Sequence, residues 1–156
     1  MIIKNIIFKI IYILILIYLV IFIPVLFGYN PLVVISNSMN PTLKVGGLLY
    51  YHKANMDELN INDILVYKSG DHIISHRIVD ITEDGFITKG DANRVVDYNE
   101  IKYNQVLGRG TNWCIPYLGY YADFIYTHKY LLVFGIGLIL INLINDYYKE
   151  RNNEKN

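Results

Sequence analysis

A single cysteine, Cys114, is all the thiol this chain carries, which excludes an internal disulfide and a thiolate-rich metal site. Beside Trp113 it reads as a small buried hydrophobe, and it reports nothing about redox compartment. Neither charge is in excess, since 14 Lys and Arg face 14 Asp and Glu. That balance removes any overall attraction to nucleic acid. No internal repeat or low-complexity linker is visible. What remains is 156 residues, enough for one domain plus membrane attachments.

Charge is also missing locally. From Ile10 to Phe27 there is none, and Ile, Leu, Val, Phe and Tyr fill nearly every position. At ~1.5 Å per residue this run reaches ~27 Å, enough to cross a bilayer with its flanks. Pro24 lies near the far end, where a helix break costs little. A cleavable signal peptide is the rival reading, but the run exceeds the usual apolar core of roughly 7–15 residues and no small-x-small cleavage site follows. A second apolar segment, "YLLVFGIGLILINLI" from Tyr130 to Ile144, is short for a span unless "DFIYTHK" shares the interface. Being apolar all round, it is unlike an interfacial amphipathic helix. Lys4 and Lys9 flank the first run, and Lys149, Arg151 and Lys155 follow the second. The positive-inside rule then places both termini in the cytoplasm. The expected division is a cytoplasmic N-terminus at 1–9, an anchor at 10–27, an extracytoplasmic domain at 28–123, a second span at 124–144 and a cytoplasmic tail at 145–156.

Between the apolar runs the pattern changes to short period-two segments separated by Gly, Asn and Asp. "PLVVIS", "GLLYYHK", "DILVYK", "HIISHRIVDI", "GFITK" and "NQVLGRG" each predict a strand. "EDGF" places Asp-Gly between two of them, a hairpin signal. The expectation is a mainly β domain, an antiparallel sheet or barrel-like body. "CIPYLGYYADFIY" then returns the chain toward the membrane, with Trp and Tyr suited to an interface.

The exposed-turn composition of "ISNSMNPTL", residues 35–43, raises the question of whether Ser38 is a turn residue or a nucleophile. A serine hydroxyl is inert until a base takes its proton and a carboxylate orients that base. Of His52, His72, His76 and His128, His76 lies inside a predicted strand, a rigid support for a general base. His72 and His76 share a strand face but stand ~13 Å apart along it. They cannot share a zinc ion whose ligands each lie ~2 Å away, so neither metal nor cofactor is expected. "TKGDANRVVD" supplies Asp91 and Asp97; either could orient His76, and spacing alone does not choose. Arg77 faces opposite His76 on the strand, which suits a structural or surface role.

Taken in order, "SNSMNPTL", "ISHRIV", "TKGDANRVVD" and "VLGRGTNWCIPYLGY" resemble the sequence boxes of the type I signal peptidases. Histidine in the second box resembles the archaeal and endoplasmic-reticulum branch, because the usual bacterial branch has a lysine base there. The resemblance spans roughly residues 30–121 and implies the antiparallel β signal-peptidase fold. By that likeness Ser38 is the nucleophile, His76 the general base and Asp97 the acid completing the group, with Asp91 a second functional acid. Ser36 matches a serine that gives an oxyanion-hole hydroxyl in bacterial relatives, and Met39 and Pro41 match residues shaping the turn. Asn37 stands where the family often has Gly, and asparagine tolerates left-handed geometry. Gly46-Gly47 and Asn62-Asp63 replace frequent Gly-Asp pairs and read as turn variations.

The resemblance implies a membrane-bound serine endopeptidase that removes signal peptides from preproteins, with preproteins and the bilayer as partners. The plasma membrane is the expected site in a prokaryote. In a eukaryote it is the endoplasmic reticulum, with complex subunits. The alternatives are a specialised processing peptidase and an inactive membrane subunit that binds exported chains. Self-cleaving repressor peptidases do not fit, being soluble and lysine-based. A histidine base works only while neutral, so activity is expected to fall in acid.

Overall fold

A computed structural model describes residues 2–153, with side chains over 6–149 and at Arg151. The side chain of Lys4 and the whole of Lys155 therefore lie outside the described parts. The chain forms two units, Met1–Ile21 with Phe124–Asn156, and Phe22–Asp123.

In the second unit a 3-10 turn, Ile23–Phe27, carries Pro24 in its first positions and closes on Gly28 at φ 84°, the left-handed geometry that glycine adopts freely. Seven strands follow: β1 Tyr29–Val33, β2 Leu48–His52, β3 Ile64–Ser69, β4 His72–Ile81, β5 Gly85–Lys89, β6 Ile101–Lys102 and β7 Val106–Ile115. They make one sheet in the order β1-β2-β7-β3-β4-β5-β6, antiparallel at every pairing. The class is mainly β, as expected.

β3 shows why "ILVY" is not alternating. Ile64 and Val66 join a cluster with Val34, Met39, Leu43 and Leu49. Leu65 and Tyr67 join another with Ile78, Phe86 and Ile101. Successive side chains point to opposite faces, so both faces of β3 are covered and all four residues are buried. An unbroken apolar run is what such a strand requires.

Three local features differ from expectation. β6 was not foreseen, being two residues long. The β4–β5 hairpin forms across "TED", but Gly85 opens β5 instead of making the turn. A Cβ there would stand 2.2 Å from the Ile101 carbonyl oxygen, so glycine is needed for the close approach of β6. β7 runs on through Ile115 and is followed by a helix, α2 Leu118–Thr127, in the stretch expected only to return to the membrane. Gly119 lies against Gly46 and Gly47, its N–H donating to the Gly46 carbonyl at 3.0 Å. Gly46, at φ 76°, has no room for a Cβ beneath the Tyr120 ring. The Gly46-Gly47 pair thus seats α2, which is more than a turn variation.

The first unit contains α1 Ile2–Phe22, which continues into the next unit by one residue, and α3 Lys129–Asn153. A Cβ on Gly135 would meet Ile11 at 3.6 Å, ordinary packing distance. Among the described residues two segments are long and apolar enough to cross a membrane, Ile6–Phe27 and Lys129–Lys149. The second starts after "DFIYTH", which belongs to α2 and the break at His128. Its length comes from continuing past Ile144.

Candidate active site

The loop from β1 to β2 is pinched at its base, where Val34 N–H donates to the Gly47 carbonyl and Gly46 N–H to that of Val34, at 2.9 and 2.8 Å. Within it, Asn40 N–H donates to Asn37 O and Leu43 N–H to Met39 O, and the Asn40–Pro41 peptide is cis. Met39 and Leu43 are sunk in the core at 1% and 0% exposure. Two buried side chains therefore fix the turn that carries Ser38. Pro41 is exposed on its outer side. Ser38 is half-buried, and its hydroxyl is 3.1 Å from that of Ser36. Asn37 is absent from the residues at positive φ, which among non-glycines are Asn62 and Tyr117. The turn does not use the left-handed geometry considered for Asn37.

His76 pairs with Leu65 across the β3–β4 ladder, and Arg77 with Ile64. Directly opposed residues share a face. His76 thus faces the Leu65 cluster, and Arg77 the cluster holding Met39 and Leu43. His76 is buried, and its Nδ1 lies 2.6 Å from Asp97 Oδ2. A carboxylate only accepts hydrogen bonds, so Nδ1 is the donor and the lone pair is left on Nε2. The same Asp97 oxygen accepts from the fully buried Thr88 hydroxyl at 2.7 Å and from the Tyr67 phenol at 3.5 Å. Burial, with lesser contributions from its neighbours, pushes the Tyr67 phenol up to about 12, so it stays a donor. Asp97 N–H is itself tied to the Thr88 carbonyl at 2.8 Å.

Asp91 sits elsewhere. Its two oxygens take a fork from Arg77, Nε to Oδ1 at 2.8 Å and Nη2 to Oδ2 at 2.6 Å, and Oδ2 also accepts the Thr42 hydroxyl. Burial opposes its charge. The hydrogen bonds from Arg77 and Thr42, with the nearby positive charge, outweigh that and hold its carboxyl below the ordinary 3.8. Of the two aspartates that spacing left open, the one that touches His76 is Asp97.

Ser36, Ser38, Met39 and His76 line one cleft of about 270 Å³, with Val33 to Ile35 on one side and Ile74 to Ser75 on another. The β5 pairing ends at Arg77–Lys89, so residues 72–76 of β4 present an edge free of β5. Among the described residues no hydrogen bond joins Ser38 to His76.

No family profile matches the chain. Individual proteins do. "Signal peptidase I W" of Bacillus subtilis (strain 168) is 32% identical over 99 residues, covering 60% of this chain and 52% of that protein. The human "Putative signal peptidase complex catalytic subunit SEC11B" is 32% identical over 129 residues, 72% of this chain and 77% of the relative. The chain belongs to the type I signal peptidase family. "Signal peptidase complex catalytic subunit SEC11C" of Rattus norvegicus is similar at 30% identity, over 70% of this chain and 65% of its own length. The match thus spans about half of the bacterial signal peptidase, 77% of the human SEC11B protein and 65% of the rat SEC11C protein.

Each of the other histidines has its own surroundings. His72 is exposed at the start of β4, and His52 packs against the Tyr29 ring at 5.2 Å with its Nδ1 buried. His128 stacks on Phe124 at 4.5 Å in the break before α3. Cys114 is half-buried, with its Sγ against Gly47. Sequence reasoning missed Thr88, Tyr67 and Thr42. The first had a readable signal, since alternation puts Thr88 on the same face as Phe86, and a hydroxyl at a core position needs a buried partner.

Proposed function

We propose that this chain is a membrane-bound serine endopeptidase that removes signal peptides, with Ser38 as nucleophile, His76 as general base and Asp97 as the acid that orients it. The observation that carries this reading is the 2.6 Å contact of His76 Nδ1 with Asp97, in a cleft that Ser38 also lines. With Nδ1 donating, Nε2 takes the Ser38 proton as the hydroxyl attacks the scissile carbonyl. Asp97 stabilises the imidazolium that forms. The proton then passes to the leaving amine, and water activated by the same imidazole hydrolyses the acyl-enzyme. The mechanism requires the Ser38 hydroxyl to leave Ser36 and donate to His76 when substrate fills the cleft.

The Ser36 hydroxyl and the Ser38 N–H are the proposed oxyanion donors, one such donor being worth about 3–4 kcal/mol in the transition state. Met39 and Pro41 hold the turn. Asp91 serves the same site at one remove. An extended peptide laid beside residues 72–76 of β4 would gain backbone hydrogen bonds from that edge. The apolar segments at 6–27 and 129–149 anchor the domain, with residues 28–123 outside the cytoplasm and both termini within it. Substrates are exported preproteins. Because two relatives are named as catalytic subunits of a signal peptidase complex, complex subunits are the proposed protein partners in a cell that has them.

The test is to incubate the full-length protein, in detergent or liposomes, with a preprotein and to weigh the products. A mature chain cut at the end of its signal peptide is the expected result. A preprotein that binds and stays intact would favour an inactive subunit.

A further inference from the structure

The residue after the proposed base makes a contact that the mechanism above does not use. Arg77 points to the opposite face of β4 from His76, toward the cluster in which Met39 and Leu43 anchor the nucleophile turn. Its guanidinium grips Asp91 with two nitrogens and donates from Nη1 to the Asn62 carbonyl at 2.8 Å. Asp91 in turn takes the hydroxyl of Thr42, four residues beyond Ser38 in the same turn. The loop carrying Asp91 is also tied to the nucleophile itself. Ala92 N–H donates to the Ser38 carbonyl at 2.8 Å, and a Cβ on Gly90 would stand 2.6 Å from that oxygen.

We propose that Arg77, Asp91 and Thr42 form a positioning bridge that sets where the Ser38 turn stands relative to His76. Consecutive residues of one strand then serve the two halves of the site, His76 as base on one face and Arg77 as anchor of the nucleophile on the other. Asp91 acts through Thr42 and the turn, since its hydrogen bonds go to Arg77 and Thr42 and none goes to the imidazole. A forked guanidinium–carboxylate pair fixes direction as well as distance, which suits a strut better than a surface ion pair. The inference rests on the peptidase reading for its kinetic consequence and on the hydrogen bonds alone for its structural one.

Thr42→Val removes the hydroxyl without changing charge or much volume, and Thr42→Ser keeps it. In the full-length protein the expected result for Thr42→Val is a kcat lower by up to about 10²-fold, the scale of an ångström-sized misplacement. KM and the acid limb of the pH–rate profile should stay unchanged. Thr42→Ser should restore the rate, and Arg77→Lys, which keeps the charge but loses the fork, should fall like Thr42→Val. Hydrogen exchange at the Ala92 amide should quicken in Thr42→Val and slow again in Thr42→Ser, a readout that needs no cleavage. Ser38→Ala run alongside separates the two ideas, since a parent that cleaves nothing overturns the peptidase reading while the exchange data still decide the bridge. Parent-like kcat and exchange in Thr42→Val, or a shifted acid limb, would overturn the bridge.

Discussion

Asp97→Asn is the most informative single change, because one oxygen holds three donors. Asp97 Oδ2 accepts from His76 Nδ1, Thr88 and Tyr67 at 2.6, 2.7 and 3.5 Å. An asparagine there can turn either way. With its oxygen in that place, the imidazole keeps its tautomer but loses the carboxylate that stabilises imidazolium, and charged hydrogen bonds of this kind are worth about 1.5–3 kcal/mol. With its NH2 there, Nδ1 must accept, and the ring proton moves to Nε2, the atom that has to take the proton from Ser38. Holding the wrong tautomer costs about 10⁴-fold in kcat where a serine–histidine–aspartate group operates. The expected fall therefore lies between about tenfold and 10⁴-fold, at 1.36 kcal/mol per decade. KM should be nearly unchanged, since Asp97 lies behind His76 relative to the cleft. The assay is single-turnover cleavage of a preprotein by purified full-length protein, with thermal unfolding as the control for folding. A loss smaller than about threefold in folded Asp97→Asn would refute the assignment.

Three further outcomes follow from the same geometry. Met39→Ala empties a fully buried site under the nucleophile turn and should destabilise the protein by about 2–5 kcal/mol, read by denaturant unfolding, with activity lost in parallel. Gly90→Ala would press a methyl against the Ser38 carbonyl and the Asn93 side chain. Because the clash is with backbone, it should lower both kcat and the melting temperature, and an unchanged rate would mean that this loop does not support the turn. Asp91 has a lowered folded-state pKa, so its contribution to stability is present at neutral pH. It should be lost as pH falls below the ordinary 3.8 and through the lower folded value. Asp91→Asn should therefore flatten the acid side of the stability profile, measured as melting temperature against pH.

What was legible in the sequence was whatever periodicity or local chemistry encodes. Period-two runs marked most of the strands, and Ser38, His76 and Asp97 stood out as candidates because each sits in a motif whose order resembles one family. The choice between Asp91 and Asp97 was not legible from spacing, since it depends on how the 90–97 loop crosses the end of β5. Thr42 looked like a turn residue because its partner lies 49 positions away. Arg77 was correctly placed on the face opposite His76, but its role as an anchor needed the loop's path. β6 has too few residues to show a period. α2 was hidden because its tyrosines and glycine do not favour helix, and its place is set by close glycine contacts with the loop before β2. Asn37 was weighed on backbone tolerance, whereas the turn is held by the burial of Met39 and Leu43.

The central claim is that a serine and a histidine on different elements act as one catalytic group. It is tested most directly by preprotein cleavage with the parent, Ser38→Ala and His76→Ala proteins under identical conditions. Cleavage by the parent, abolished in both variants while each retains the parent's unfolding profile, is the predicted result. Persistent cleavage by folded Ser38→Ala would contradict it.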